Sequence, residues 1–205
     1  MTEIETIEIT DTITSEIPLI SHLDSRFDLV GGFYLTIPLD YEHRTQVSSF
    51  FTEASKDKGK RSDQCERIIL PKKMLDEDFQ RVSNRLEPGR TYSVQIFQVN
   101  TPTSVNDCLD FLRKNGALLV GMQGLSLVWR LKKEYFPEGK WLSSLDIERN
   151  LSTRPSYNKR VVDPHVFGRV SKIWNKQIKF HWKLNMTWFG LRLDDTDCFI
   201  LVKPS

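Results

Sequence analysis

Between Arg130 and Arg192 the chain carries fourteen basic side chains against five acidic ones, together with Trp141, Tyr157, Phe167, Trp174, Phe180, Trp182, Trp188 and Phe189. Cations neutralise phosphates and release their counterions, and aromatic rings offer surfaces on which bases stack. Charge and rings together are therefore the chemistry of nucleic-acid binding. They are densest in Ile178-Lys179-Phe180-His181-Trp182-Lys183-Leu184. Successive side chains of a strand point to opposite faces, so Lys179, His181 and Lys183 form one row and Ile178, Phe180, Trp182 and Leu184 the other. The apolar row reads as core, and the Lys-His-Lys row as a solvent-facing basic strip whether or not any ring stacks on a base. Lys172 and Lys176 extend that strip, Lys159, Arg160 and Arg169 add phosphate contacts, and Trp174 and Trp188 are the candidate stacking residues.

A second feature is Val120-Gly121-Met122-Gln123-Gly124-Leu125-Ser126, a glycine-containing turn between an apolar run and a helical stripe. Free amides at a helix start can cradle a phosphate, which makes Gly121, Gly124 and Ser126 candidate phosphate-binding residues. The spacing lacks the Lys-Ser/Thr pair of a P-loop and does not match the dinucleotide fingerprint. The competing explanation is that the glycines only permit a tight turn.

Catalytic combinations are thinner. His22-Leu23-Asp24 and Asp163-Pro164-His165 each pair an acid with an imidazole but have no nucleophile context, so no catalytic residue is assigned. Asp194, Asp195 and Asp197 offer oxygen ligands for a divalent cation, yet Asp is also a turn former, and a turn is the preferred explanation. Cys65, Cys108 and Cys198 form no C-x-x-C pair, so neither zinc nor dithiol chemistry is suggested. Cys108 reads as a core thiol. No metal and no cofactor is implied.

The elements that would position these residues follow from periodicity and punctuation. Phe33, Leu35, Ile37 and Leu39 alternate as in a strand, with Gly31-Gly32 before them and Pro38 marking an edge. Val47, Phe50, Phe51 and Ala54 have helical spacing, and so do Leu75, Phe79, Val82 and Leu86 ahead of Pro88-Gly89. Residues 67–70 and 92–99 read as strands. Ser104 with Asp107 resembles a capping box, Val105, Cys108, Leu109 and Leu112 form one helical face, and Asn115-Gly116 supplies the stop. Residues 117–120 read as a buried strand, and Leu125, Val128, Trp129, Lys132, Tyr135 and Phe136 as one helical stripe. Strands are expected at 141–145, 178–184 and 197–202, with residues 147–168 as a long loop.

The 205 residues contain 39% hydrophobic and 27% charged side chains, enough apolar content to offset chain entropy and exclude a disordered protein. No apolar run approaches the roughly 18 residues of a membrane span, and no leader pattern follows Met1. A soluble protein of the reducing cytoplasm is expected, with no membrane partner. The net charge of +2 is polarised: residues 1–56 carry −7, residues 57–128 carry +2 and residues 129–205 carry +7. Residues 1–17 form an acidic tail or edge strand, and 18–205 a single compact α+β domain, with 100–103 as the place where two lobes would divide. The sheet is expected to be mixed and mainly antiparallel, with several amphipathic helices. The functional expectation is a non-catalytic binding protein whose basic C-terminal half docks an anionic partner, RNA or DNA. One alternative is an enzyme acting on a phosphorylated or nucleotide-like ligand through the 121–126 turn. Another is a protein-protein adaptor that uses the acidic tail.

Overall fold

In this computed structural model the described residues are 20, 22–45, 67–69, 82–147, 150–151, 165–175, 179–188 and 192–205. They form an α+β fold: one mixed sheet of eight strands, a two-stranded ribbon and two α-helices. The strands in chain order are β1 (Phe27–Thr36), β2 (Arg67–Ile69), β3 (Thr91–Val99), β4 (Thr103–Ser104), β5 (Trp141–Ser143), β6 (Asn150–Leu151), β7 (His165–Asn175), β8 (Lys179–Trp188), β9 (Arg192–Leu193) and β10 (Asp197–Pro204). The large sheet runs β1-β3-β10-β5-β7-β8-β2, with β6 beside β7, while β4 pairs with β9. All pairings are antiparallel except β10 with β5 and β2 with β8.

Where several helices were expected, two occur among the described residues: α1 (Val105–Lys114) and α2 (Gly121–Lys132), the latter followed by a single 3-10 turn (Lys133–Tyr135). Helix α1 is specified locally. The Ser104 hydroxyl accepts the Asp107 amide at 3.1 Å and donates to the Asp107 carboxylate at 2.5 Å. The helix stops where Gly116 takes φ +66° and the Gly116 and Ala117 amides return to the carbonyls of Arg113 and Leu112, as glycine just past a helix end allows.

The two helices cover opposite faces of the sheet. On β3, Tyr92, Val94 and Ile96 point to a core shared with β1 residues Phe33 and Leu35, β10 residues Ile200 and Val202, and Met122, Leu125, Val128 and Trp129 of α2. Phe97 and Val99 point the other way, to a core with Phe27, Phe199, Leu201 and Val105, Cys108, Leu109, Phe111 and Leu112 of α1. Four rings close this second core: Phe97 and Phe199 stack at 5.8 Å, and Phe27 and Phe111 sit 4.7 Å apart. Strand β1 contributes to both cores because a bulge between Leu29 and Gly31 shifts its phase. Phe27 pairs with Val99 on the α1 face, and Phe33 with Val94 on the α2 face. One extra residue in a strand exchanges its faces.

Several expected elements change. Residues 82–86 are not helical; Leu86 is buried in the α2 core, and Val82 approaches the start of α2. Of the pair only Leu86 enters the core, while Val82 is half-buried. Residues 117–120 make a single bridge, Leu118 to Val202, rather than a strand. The expected loop 147–168 contains β6 and the first residues of β7. The acidic tail 1–17, most of the expected 42–55 helix, Leu75 and Phe79 lie outside the described residues. No helix among the described residues is long and apolar enough to cross a membrane.

Candidate nucleic-acid interface

Strands β7 and β8 form a ten-pair antiparallel ladder whose register assigns every position to a face. Ser171 pairs with Lys183, Ile173 with His181, Asn175 with Lys179 and Arg169 with Asn185. Val170 pairs with Leu184, Lys172 with Trp182, Trp174 with Phe180 and Val166 with Trp188. Paired residues share a face, and alternate pairs take opposite faces.

Strand β5 ties these rows to the rest of the sheet. Leu142 of β5, buried in the α2 core, pairs with Val170, whereas Ser143 pairs with Arg169 and, on its other side, with Phe199 of the α1 core. The Val170 row, with Lys172, Trp174, Trp182 and Trp188, therefore occupies the α2 face. The Arg169 row, with Lys179, His181 and Lys183, occupies the α1 face. Strand β2 adds to it, since Arg67 pairs with His181 and Ile69 with Lys183. His165, four residues before Arg169 on β7, falls in the same row.

Strands β2, β7 and β8 contain no Asp or Glu. Their α1-face positions include Arg67, His165, Arg169, Lys179, His181 and Lys183, and the polar Ser171, Asn175, Asn185 and Thr187; of the basic residues only Lys172 falls on the α2 face. The expected site is thus divided. Lys179, His181 and Lys183 share a face, as the alternation implied, but Lys172, Trp174 and Trp188 alternate onto the opposite one. Lys159, Arg160 and Lys176 lie outside the described residues. Arg67 and His165 join the basic row only through register, and for Arg67 that is a pairing with β8, more than a hundred residues later in the chain, which no local pattern in the sequence announces.

The glycine segment is built differently from the turn that was expected. Helix α2 begins at Gly121 itself, so Gly124 and Ser126 lie inside it, and every residue from Gly121 to Trp129 is buried. Gly121 takes φ +52°, and a Cβ there would stand 3.3 Å from an Asp146 carboxylate oxygen. Asp146 is itself buried and accepts both the amide (3.0 Å) and the hydroxyl (2.5 Å) of Ser83. The helix start thus already faces a carboxylate of its own chain, the kind of charge that a helix N-terminus favours. A Cβ on Gly124 would fall 2.2 Å from a Val120 methyl, so this glycine lets Val120 pack against the first turn. Ser126 donates to the Gln123 carbonyl at 2.8 Å.

Other chemically suggestive groups find structural partners. The His22 amide donates to Asn115 at the end of α1, whereas Gly121 to Ser126 belong to α2 on the opposite side of the sheet. Asp24 and Asp107 share Arg26, at 2.7 and 3.3 Å. The hydrogen bond from Arg26 lowers the Asp24 pKa, and that from Ser104 lowers the pKa of Asp107, with Arg26 assisting. Asp194 accepts the amide and hydroxyl of Thr196, and Asp197 accepts the Asp194 amide at 3.1 Å, which is the turn preferred over a cation site. Burial pushes the thiols of Cys108 and Cys198 up to about 12, far from nucleophilic.

No protein-family model, curated protein or solved structure matches the chain. The functional reading therefore rests on the charge pattern and the register.

Proposed function

We propose that the chain is a non-catalytic binding protein that docks an anionic partner, RNA or DNA, on the α1 face of β7, β8 and β2. The observation that carries this reading is the gathering of Arg67, Arg169, Lys179, His181 and Lys183 on one face of three adjacent strands that hold no acidic residue. Strand spacing of about 4.8 Å and a two-residue repeat of about 6.7 Å set these positions at distances comparable with the phosphate spacing along a nucleic-acid strand. Lys179, His181 and Lys183 contact phosphates, and Arg67 and Arg169 extend the track to the neighbouring strands. Trp174 and Trp188 fall at register positions of the opposite face, so the track is proposed without their stacking role.

Binding by such a track is driven by counterion release, so affinity falls steeply with salt. Fluorescence anisotropy of labelled single- and double-stranded oligonucleotides at two salt concentrations tests it. The reading expects salt-sensitive binding that the double substitution Lys179→Glu, Lys183→Glu weakens by at least about tenfold while the protein stays folded. Unchanged binding by the folded double variant would remove the assignment.

A further inference from the structure

The acidic N-terminal segment and the basic face have opposite charge, and the chain that follows the segment is held on the side of the sheet to which the basic positions belong. Residues 1–17 contain Glu3, Glu5, Glu8, Asp11 and Glu16 and no Lys, Arg or His. The chain that follows them is anchored on the α1 side: Ile20 packs against the α1 core, and the His22 amide and carbonyl are both held by the Asn115 side chain at 3.0 and 3.1 Å. The α1 core rests on β3 and β10, and the basic row begins two strands beyond β10, across β5. Three strand spacings from β10 to β8 amount to roughly 14 Å, whereas seventeen extended residues reach roughly 55 Å. Reach therefore imposes no obstacle, and the segment need not pass around a sheet edge.

We propose that residues 1–17 dock on the basic face of β7, β8 and β2 and compete there with the anionic partner. This rests on the reading of that face as a docking surface and adds its regulation. Arg67, Arg169, Lys179 and Lys183 supply four fixed positive charges against the five carboxylates of the segment. Exposed ion pairs are individually weak, but tethering raises the local concentration of the segment to the millimolar range. An intramolecular competitor of this kind lowers the apparent affinity for an external anion without abolishing it, and salt weakens both interactions.

Zero-length carbodiimide cross-linking of the intact chain, read by mass spectrometry, tests the docking. The expected result is cross-links from carboxylates of residues 1–17 to Lys179 or Lys183, suppressed at high salt, with Lys172 on the opposite face unlinked. Absence of those links, or links to Lys172 as abundant as to Lys179 and Lys183, overturns the proposal. Competition is read with the full-length variant in which Glu3, Glu5, Glu8 and Glu16 become Gln and Asp11 becomes Asn. Its affinity for a labelled oligonucleotide at low salt should rise about tenfold, and an affinity equal to that of the parent chain overturns the competition. If neither form binds oligonucleotide at low salt while the cross-links are present, the nucleic-acid reading falls and the docking of the segment stands.

Discussion

The two ends of the large sheet are built on different rules. At the β1-β3-β10 end α1 and α2 lie on opposite faces, and β3 and β10 are buried along nearly their whole length, while the edge strand β1 leaves Tyr34 and Thr36 exposed. At the β7-β8-β2 end the positions alternate: apolar residues with one Lys on the α2 face, and basic and polar residues with a few apolar ones on the α1 face. A strand buried on both sides can carry apolar residues at successive positions, as β10 does from Cys198 to Val202, while a strand with one polar face carries them at alternate ones. The first end explains how the fold is held, and the second supplies the surface proposed to act.

The sharpest way to break this contrast is to cut into the covered end. Phe199 is fully buried between Phe97, Phe27 and Phe111, and Phe199→Ala should cost about 3 to 5 kcal/mol in urea unfolding. A cost near zero would mean that the four-ring core does not hold the sheet. A smaller loss is expected at the start of α2. Gly124→Ala improves helix propensity by about 1 kcal/mol but sets a methyl 2.2 Å from Val120, and Val has little χ1 freedom to yield. The overpacking should win, with a net loss of about 1 to 3 kcal/mol; a stabilised variant would show that the close approach is not required.

Two smaller effects sharpen the comparison. Ser104→Ala removes the cap of α1 and should cost about 1 kcal/mol by thermal unfolding. At the other end Lys183→Gln should change stability by less than about 0.5 kcal/mol, yet reduce the salt slope of oligonucleotide binding by roughly 0.7 to 0.9. The covered end also has a pH signature. Cys108 and Cys198 stand at about 12 in the folded chain against 9.0 for an ordinary thiol, because burial disfavours the thiolate. A pKa raised on folding contributes stability that is fully present below about 9 and is lost as the pH rises towards 12. Urea midpoints should therefore fall from pH 9 upward, and replacing both thiols with Ala should remove that part of the decline.

What the sequence revealed followed from interactions close in the chain. The cap and stop of α1, the β-branched and aromatic residues of β3 and the alternation of β8 are each set by neighbours within a few residues, and each of these elements is present in the structure. The remaining features depend on distant partners. Residues 165–168 open β7, but Pro155, Pro164 and the polar residues around them made 147–168 read as a loop. Val82 and Leu86 are spaced as in a helix, yet the backbone there is not helical and Leu86 alone of the two is buried in the core. The division of Lys172, Trp174 and Trp188 from the Lys-His-Lys row, and the arrival of Arg67 beside His181, are properties of register between strands. Periodicity within one strand shows that two faces exist; only the pairing shows which residues from other strands share them.

The central claim is that Lys179 and Lys183 share a docking face from which Lys172 is excluded. Lysine acetylation footprinting of the intact protein, with and without a saturating oligonucleotide at low salt, tests it most directly. The account predicts that Lys179 and Lys183 become protected while Lys172 reacts as before; protection of Lys172 in place of them, or no change at any of the three with oligonucleotide bound, would contradict it.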